Sequence, residues 1–448
     1  MKQQLTAGIV DAVRSCGVVG AGGGGFPTHK KLSSAVDMVV VNGAECEPLL
    51  ASDKYLLETQ SDGILRGLIL IMQSCGAVSG YIALKAKHSR LLQVLSEAID
   101  ESGRKDLSLF PLGDFYPAGD EFLLVEELTK KVVPERGIPP QVGCLVENVE
   151  TTLNIQRAVE LGEPVIRRYL TCSGEVRWPS VVKAHIGTSF REIIDLCGGA
   201  TVDDPAVVVG GPLMGTVETD LETPATKLTS GIIVLPRDHE VVRRKTLPIE
   251  HMIRQMKAAC CQCTYCTELC PRYLIGHDLE PHLIMRQIAY GVELPSKTIV
   301  NALLCSGCGL CEIYACVMGL SPQRINAMIK EGLAAQGYSP EFPVREIRVH
   351  EMMEYRKIPT DRIVTRLKLT RYAQKPLRRH VETNPVRVEI PLTQHTGAPS
   401  VPVVKQRERV VEGALIAEIP KDSLGAAVHS SIDGEVIFLD EERIIIQR

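Results

Sequence analysis

The hydrophobic and polar positions of the first third of the chain predict helices and strands in alternation. Apolar residues at helical spacing predict three helices, at residues 3–15, 61–75 and 91–101. Short apolar runs predict three strands, at residues 37–42, 81–86 and 107–112. Such alternation is typical of an α/β layer with a mainly parallel sheet. We therefore expect an α/β domain over residues 21–163, with the first helix packed on it.

The pattern changes after residue 163. Three predicted strands surround one predicted helix, with the strands at residues 169–176, 181–187 and 206–211 and the helix at 189–196. This arrangement indicates a small β-grasp module over residues 164–245. The tail at residues 397–448 contains only short predicted strands, which indicates a separate β module.

Two segments lie between these β modules. Residues 246–335 are expected to form a helical domain around a set of cysteines, and residues 336–396 a basic linker. Nine Lys and Arg residues stand against the single Asp361 within residues 356–379. Apolar and basic residues alternate at 362–372, which favours a solvated strand face. Docking of an acidic electron-transfer partner is the alternative.

Length and composition narrow the class of protein. A chain of 448 residues is expected to form about three domains. The net charge of −4 does not indicate the basic surface of a protein that binds nucleic acid. The longest apolar run, at residues 64–72, is too short for a membrane span, and the first residues lack the apolar core of a signal peptide. We expect a cytoplasmic protein, in which the fifteen cysteines stay reduced.

Eight of the cysteines fall into two runs with the spacing of a two-cluster iron–sulfur protein. The first run fits the pattern C-x2-C-x2-C-x3-C-P without a mismatch. In the second run four residues precede Cys316, and Val317 stands where proline is usual. The fourth cysteine of such a run ligates the other cluster. One 4Fe–4S cluster is therefore assigned to Cys260, Cys263, Cys266 and Cys316, and the other to Cys305, Cys308, Cys311 and Cys270.

Other readings of the cysteines are a zinc ribbon and disulfides. Neither requires two triplets at i, i+3 and i+6, so both are disfavoured. Cys261 is a spare thiol beside the first run. The sequence thus predicts a protein that transfers single electrons.

A glycine-rich loop follows the first predicted helix. Residues 20–25 satisfy the pattern G-x-G-x-x-G, but a helix precedes the loop and the strand comes after it. A dinucleotide fingerprint requires the opposite order, so we reject an ordinary Rossmann loop. Consecutive glycines still allow the backbone to approach a flat or anionic group closely, and a flexible linker is the alternative.

Four motifs together carry a resemblance to a known family. They are the glycine-rich loop followed by Phe26-Pro-Thr, then Asn42-Gly-Ala-Glu-Cys-Glu-Pro, Tyr116-Pro-Ala-Gly-Asp-Glu and Asn148-Val-Glu-Thr. The set resembles the FMN- and NADH-binding subunit of respiratory complex I, and more closely the RnfC component of the Rnf electron-transport complex. It resembles most closely the cobalamin reductases of propanediol-utilisation microcompartments. The resemblance covers nearly the whole chain.

The resemblance implies specific site residues. The FMN phosphate and ring would lie along Gly22, Gly23, Gly24 and Gly25, with polar contacts from Lys31, Asn42 and Asn148. Phe26 would stack on the nicotinamide, and NADH would be faced by Glu45, Glu47, Tyr116 and Glu121. No side-chain base is expected, because hydride passes directly between the two rings. This chain departs from the complex I protein at Ala44 and Glu147, where that protein has aspartate and asparagine.

The two β modules resemble parts of the same families. Residues 164–245 resemble the β-grasp domain that follows the flavin domain, for which a rigid spacer is favoured over a cobalamin site. Residues 397–448 resemble the barrel-sandwich hybrid fold of lipoyl carriers, but the turn at 430–433 has no lysine. We expect an interaction module there. Residues 1–20 would either pack on the flavin domain or act as a packaging tag.

Three functions agree with these expectations. In the first, electrons pass from NADH through FMN and two 4Fe–4S clusters to cobalamin, for a partner adenosyltransferase inside a bacterial microcompartment with its shell proteins. In the second, the chain is a peripheral subunit of an Rnf complex that exchanges electrons with ferredoxin. In the third, it is a relay or scaffold with a vestigial flavin site. Intact motifs disfavour the third, and a barrel-sandwich module at the end of the chain favours the first.

Overall fold

The first domain is an α/β layer in which helices alternate with strands, as the sequence predicts. The computed structural model describes residues 2–291, 296–343, 345–377 and 379–448. The elements of this domain are α1 (Lys2–Ser15), α2 (Thr28–Lys31), β1 (Met38–Asn42), α3 (Ser52–Thr59), α4 (Ser61–Cys75), β2 (Ser79–Lys85), α5 (Ser89–Glu101), β3 (Leu107–Leu112), β4 (Phe115–Tyr116), α6 (Glu121–Thr129), β5 (Cys144–Asn148) and α7 (Val149–Leu161). Four of the strands form a parallel sheet in the order β3-β2-β1-β5.

Helices cover both faces of this sheet. Alternate residues of β1 point to opposite faces. Val39 and Val41 are buried with α1, α4, α5 and α7, whereas Val40 is buried with apolar residues of α6. Asn42 ends β1 in register with Asn148, which ends β5. Proteins of the α/β class bind ligands at the carboxyl ends of their parallel strands, so a binding site is expected at this edge of the sheet.

Helix α1 belongs to the α/β domain. Its Ile9 and Val13 are buried in the main apolar core together with residues of α4 and α7. The expected packing of this helix on the α/β domain is therefore confirmed. The predicted boundary at residue 20 does not separate the helix from that domain. A packaging role for residues 1–20 stays a prediction.

The β-grasp module forms a mixed sheet of six strands. Its own elements are β6 (Arg167–Gly174), β7 (Ser180–His185), α8 (Phe190–Leu196), β8 (Pro205–Val209), β9 (Thr216–Glu218) and β10 (Gly231–Pro236). Ile193 and Ile194 of α8 are buried against the sheet. Residues beyond the module contribute the sixth strand.

The cysteine-rich domain is helical, as expected. Its helices are α9 (Glu240–Thr246), α10 (Ile249–Ala259), α11 (Tyr265–Glu268), α12 (Pro271–Leu274), α13 (Pro281–Tyr290), α14 (Lys297–Val300) and α15 (Pro322–Ala335). Short 3-10 turns lie at Asn301–Leu304 and, in other domains, at Pro139–Val142 and Glu354–Arg356. Among the described residues, no helix is long and apolar enough to cross a membrane.

The expectation of a basic linker at residues 336–396 is wrong for its second half. This part contains β11 (Ile358–Pro359), α16 (Thr360–Arg366), α17 (Thr370–Ala373), β12 (Arg379–Glu382) and β13 (Arg387–Pro391). Strand β11 pairs with β4, and β12 completes the β-grasp sheet beside β7, giving the order β12-β7-β6-β10-β8-β9. The segment therefore connects the α/β domain to the β-grasp module through strand pairing.

The predicted strand face at residues 362–372 is also wrong, because this part of the chain is helical. Ile363 and Leu367 stand four residues apart, so one face of α16 and the following turn can bury both. The spacing of the apolar residues fits a helix. The alternation of apolar and basic residues fits a strand equally well. Contact with the surrounding apolar core decides the outcome in favour of the helix.

The C-terminal module is a sandwich of two small sheets. Its remaining strands are β14 (Val401–Pro402), β15 (Arg409–Val410), β16 (Leu415–Glu418), β17 (Val428–His429), β18 (Gly434–Leu439) and β19 (Arg443–Gln447). The sheets run in the orders β13-β19-β18-β15 and β14-β16-β17. Because β13 pairs with β19, the module begins before the expected boundary at residue 397.

Candidate functional site

One cavity brings together all twelve residues that the sequence predicts to bind FMN or NADH. It has a volume of about 710 Å³ and lies at the carboxyl ends of β1 and β5. Three domains line it. The α/β domain supplies the predicted residues, and the cysteine-rich domain supplies Arg272, Ser306 and Cys308. The β-grasp module supplies residues 209–211 and 214–216 with Leu228 and Ser230. The β-grasp module is therefore a wall of the site in addition to a spacer.

The glycine-rich loop presents bare backbone to this cavity. A Cβ atom built on Gly23 or Gly24 would meet nothing within 4 Å, and Gly23 has a φ of +103°. Both glycines line the cavity, so no side chain separates their backbone from it. The loop therefore fits a flat cofactor that lies directly on its backbone.

Hydrogen bonds from three domains fix this loop. The Ala21 amide donates to Thr151 Oγ1 at 2.8 Å, and Arg168 donates to the Ala21 carbonyl at 2.7 Å. Arg168 also forms a buried ion pair with Glu150. On the other side, Thr396 of the C-terminal module donates through Oγ1 to the Gly24 carbonyl at 2.9 Å. These hydrogen bonds hold the loop to all three domains.

Two predicted polar contacts of FMN also hold the protein together. The Asn42 amide donates to the Gly119 carbonyl at 2.9 Å. Asn148 caps α7, because its Oδ1 accepts from the backbone amides of Glu150 and Thr151, and its Nδ2 donates to Asp53 at 2.8 Å. Both side chains line the cavity, so their contacts with FMN stay predictions.

Lys31 lies between two carboxylates at the cavity wall. Its Nζ is 3.4 Å from Glu121 and 3.5 Å from Glu147. Burial alone would lower the pKa of Lys31, but the Glu147 and Glu121 charges raise it, so the ammonium form is maintained. Burial raises the pKa of Glu147, whose Oε1 has no hydrogen-bond partner. This Oε1 is the oxygen 3.5 Å from Lys31 Nζ, so the departure from the family pattern at Glu147 places a buried ion pair at the cavity wall.

The side chains of Glu45 and Glu47 do not project in parallel, because the strand does not continue past β1. Glu45 has a φ of +34°, which turns the backbone, and Cys46 lines the cavity along with both glutamates. An extended chain would place the two glutamates on one side and Cys46 on the other, and the turn at Glu45 prevents this. Glu45 accepts from the Asp53 amide at 2.9 Å and the Lys54 amide at 3.2 Å, at the start of α3. Contact of either glutamate with NADH stays a prediction.

Removing the Glu45 carboxylate is expected to destabilise the α/β domain. In Glu45→Ala the first turn of α3 loses its acceptor, which costs about 1 kcal/mol, or roughly 2–4 °C in melting temperature. The exposed Glu58→Ala at the other end of α3 is the control, with little change expected. Melting curves and the KM for NADH are measured together. A KM raised more than about threefold with an unchanged melting temperature would favour the NADH contact over the capping role.

Glu47 and Tyr116 connect the cavity to its other two walls. Glu47 accepts from the backbone amides of Leu213 and Met214 in the β-grasp module, at 3.0 and 2.7 Å. The Tyr116 hydroxyl donates to the carbonyl of Cys308 at 2.6 Å. Burial, followed by the nearby Glu47, raises the pKa of Tyr116 well above its ordinary value, so it stays a neutral donor. Both side chains therefore have structural partners as well as a place at the cavity.

Phe26 is free to stack on a ligand. Its side chain is 43% exposed and borders the cavity. An exposed aromatic ring beside a cavity can stack on the ring of a bound ligand. The predicted stacking on nicotinamide stays a prediction that this position supports.

Several charged residues of the cavity escaped the sequence-based prediction, among them Asp53 and Arg272. Asp53 lies beside Glu45, and burial, followed by the Glu45 charge, raises its pKa to about 8. Arg272 donates to Asp120 at 3.0 Å, and its guanidinium lies 3.8 Å from the centre of the Phe122 ring. Neither residue lies in a recognisable motif. The position of Arg272 directly after the Cys270-Pro271 pair is the signal that could have directed attention to it.

Four of the cysteines surround a second, smaller cavity next to the first. It is lined by Cys270, Cys305, Cys308 and Cys311, the set assigned to one cluster from the sequence. Cys308 lines both cavities. We call this set the inner cluster site, because its cysteines adjoin the main cavity.

The other four cysteines also lie together. Burial, followed by the neighbouring thiols of Cys316, Cys263 and Cys260, raises the pKa of Cys266 to about 12. We call these four the outer cluster site, because Cys263 is exposed. Within the described part of the chain, no three His, Cys, Asp or Glu side chains are arranged to hold a single metal ion.

A π-helical turn accounts for the extra residue in the second cysteine run. Cys311–Ala315 forms this turn, and the Cys316 amide donates to the Cys311 carbonyl at 3.0 Å, five residues back. A π turn accommodates one inserted residue within a helical path. Cys316 therefore reaches the outer cluster site despite its irregular spacing.

Comparisons with known proteins agree with this architecture. Four family models match in order: the Nuo51 FMN-binding domain at residues 13–157, the SLBB domain at 169–217, the 4Fe-4S dicluster domain at 259–321 and the RnfC barrel sandwich hybrid domain at 354–447. The cobalamin reductase PduS of Citrobacter freundii is 43% identical over 98% of this chain and 96% of its own. The chain belongs to the cobalamin reductase family. The PduS protein of Salmonella typhimurium is 42% identical over the same shares.

More distant relatives match only part of the chain. One component of the Na(+)-translocating ferredoxin:NAD(+) oxidoreductase complex of Acetobacterium woodii is 34% identical over 58% of this chain and 57% of its own. A crystal structure of an NAD+-reducing NiFe hydrogenase in the H2-reduced state shares the fold, with a TM-score of 0.51, 20% identity and coverage of 76% of this chain and 69% of that one. The multidomain fold, the FMN-binding domain and the two 4Fe–4S clusters expected for this family from the sequence are confirmed.

Proposed function

We propose that this chain is an NADH-dependent cobalamin reductase that passes electrons through FMN and two 4Fe–4S clusters. The observation that carries the proposal is that Cys308 lines both the main cavity and the inner cluster site. FMN, when bound, accepts two electrons together as hydride and releases them one at a time, as iron–sulfur clusters require. The full-length similarity to cobalamin reductases supports cobalamin as the acceptor.

We assign the glycine-rich loop to FMN. The loop is held rigidly and leaves open space above Gly23 and Gly24. Lys31, Asn42 and Asn148 would contact the polar parts of FMN from the ends of β1 and β5. Phe26 would cover the nicotinamide, with Glu45, Glu47, Tyr116 and Glu121 around NADH. This arrangement would place FMN between NADH and the cysteine-rich domain.

The order of the clusters follows from their surroundings. The inner cysteines Cys270, Cys308 and Cys311 are buried, while Cys263 of the outer site is exposed. Electrons would therefore enter at the inner cluster and leave from the outer cluster at the surface. Cobalamin would be reduced there, for use by a partner adenosyltransferase. By the family resemblance of its motifs, the chain would act in a propanediol-utilisation microcompartment with its shell proteins.

The alternative acceptor is ferredoxin, as in an Rnf-type complex. It is less supported, because the Rnf relative covers only 58% of this chain. Purified, anaerobically reconstituted protein is tested with NADH against cobalamin and against ferredoxin at equal concentration. The proposal expects NADH oxidation coupled to cobalamin reduction at a rate at least about tenfold above that with ferredoxin. A reversed preference would assign the chain to the ferredoxin-linked function.

A further inference from the structure

Asn326 on α15 is a buried amide without a partner in the protein. Its side chain is 1% exposed, and neither Oδ1 nor Nδ2 has a hydrogen-bond partner. It lines the small cavity whose other walls include Cys270, Cys305, Cys308 and Cys311. The amide therefore lies at the inner cluster site.

An unpaired amide in such a place is costly. A buried donor or acceptor without a partner typically costs about 1–3 kcal/mol, and the great majority of buried polar groups are paired. The apolar lining of this cavity, Pro271, Leu279 and Pro281, offers no acceptor side chain. Ser306 and Gln323 are the other polar side chains in the lining, and no hydrogen bond joins either of them to Asn326. The group that the cysteines hold would supply the acceptor that Nδ2 lacks in this lining.

We propose that Asn326 donates an Nδ2–H hydrogen bond to a sulfur of the inner 4Fe–4S cluster and thereby raises its reduction potential. Sulfur atoms of a cluster accept hydrogen bonds, and these bonds are among the features that set its potential. Reduction adds negative charge, so a donor stabilises the reduced form more than the oxidised form. A higher potential at the inner cluster favours electron transfer from the main cavity.

Backbone donors to cysteine sulfurs occur at both sites and do not replace Asn326. The Gly307 amide donates to Cys305 Sγ at 3.4 Å, and the Leu320 amide donates to Cys316 Sγ at 3.2 Å. A side-chain donor can be removed by substitution, whereas a backbone amide cannot. Substitution of Asn326 therefore tests whether a side-chain donor raises the reduction potential of the inner cluster.

The test is an anaerobic redox titration followed by electron paramagnetic resonance. Asn326→Leu keeps a similar volume and removes the donor. Its inner cluster is expected to become about tenfold harder to reduce, a fall of about 60 mV for one electron. The outer cluster of the same molecule is the internal control and is expected to keep its midpoint. Gln336→Leu, an exposed amide at the end of the same helix, is the matched control.

The outcomes separate redox tuning from packing. A purely structural Asn326 would change the melting temperature of Asn326→Leu and leave both midpoints unchanged, which overturns the proposal. Should Asn326→Leu bind less than the native iron, the titration is made on Asn326→Ala, whose smaller side chain cannot crowd the cluster. A lowered midpoint potential of the inner cluster in Asn326→Ala supports the proposal. A midpoint potential equal to that of the native protein overturns it. The proposal rests on the inner cluster assignment, whose own failure would appear as about four irons in the native protein.

Discussion

Replacing Gly24 with valine is expected to abolish FMN binding and leave both clusters in place. Gly24 lines the cavity, and a Cβ at this position meets no protein atom within 4 Å, so the new side chain does not disturb the walls. It would occupy the space against the loop where the flavin is assigned. We expect FMN affinity to fall at least about a hundredfold, or roughly 2.7 kcal/mol. NADH oxidation should fall with the FMN content.

Gly24 is a better choice than Gly23, because the positive φ of Gly23 would add backbone strain to the steric effect. Gly8→Val is the matched control, since Gly8 lies in α1 with equally open surroundings and outside the cavity. Flavin absorbance and iron content are measured on the same preparations. Full FMN occupancy in Gly24→Val would mean that the loop does not bind the flavin.

Removal of one cysteine from each cluster site is expected to interrupt electron transfer at two different points. Cys316→Ala should lose the outer cluster and Cys308→Ala the inner one, each lowering the iron content from about eight to about four. In Cys316→Ala, NADH should still reduce the remaining cluster. In Cys308→Ala, NADH should leave the outer cluster oxidised, because the main cavity adjoins only the inner site. Both variants should lose at least about 99% of NADH-driven cobalamin reduction, a hundredfold effect of about 2.7 kcal/mol.

Cys261→Ala is the matched control for these variants. Cys261 is exposed beside the first run and belongs to neither assigned set. It should keep about eight irons and native activity. Iron analysis and paramagnetic resonance after addition of NADH distinguish all three variants. Unchanged iron and spectra in Cys316→Ala would show that the second run is not a ligand set.

The sequence predicts most of the α/β domain because local patterns determine it. Strand β3 lies at the predicted residues 107–112, and helix α4 at the predicted residues 61–75. Both segments have the length and apolar content expected of their element. The cysteine pairing is also predictable, since ligand spacing is set by the shape of the cluster.

Tertiary contacts determine what the sequence does not reveal. The segment 362–372 fits a strand and a helix equally well by pattern, and burial of Ile363 decides for the helix. The turn at Glu45 interrupts the extended backbone that would place its side chain on the same side as that of Glu47. Asn326 belongs to no motif, and only the approach of α15 to the cysteines places it at the inner cluster site.

The measurement that tests the central claim most directly compares cluster reduction by NADH in FMN-loaded and FMN-stripped protein. Both forms are prepared anaerobically with the same iron content, and the clusters are followed after one addition of NADH. We predict that NADH reduces the clusters of the loaded protein, leaves those of the stripped protein oxidised, and reduces them once FMN is restored. Dithionite should reduce the clusters of both forms. Equal reduction by NADH with and without FMN would contradict the assignment of the cavity as the point where NADH delivers its electrons.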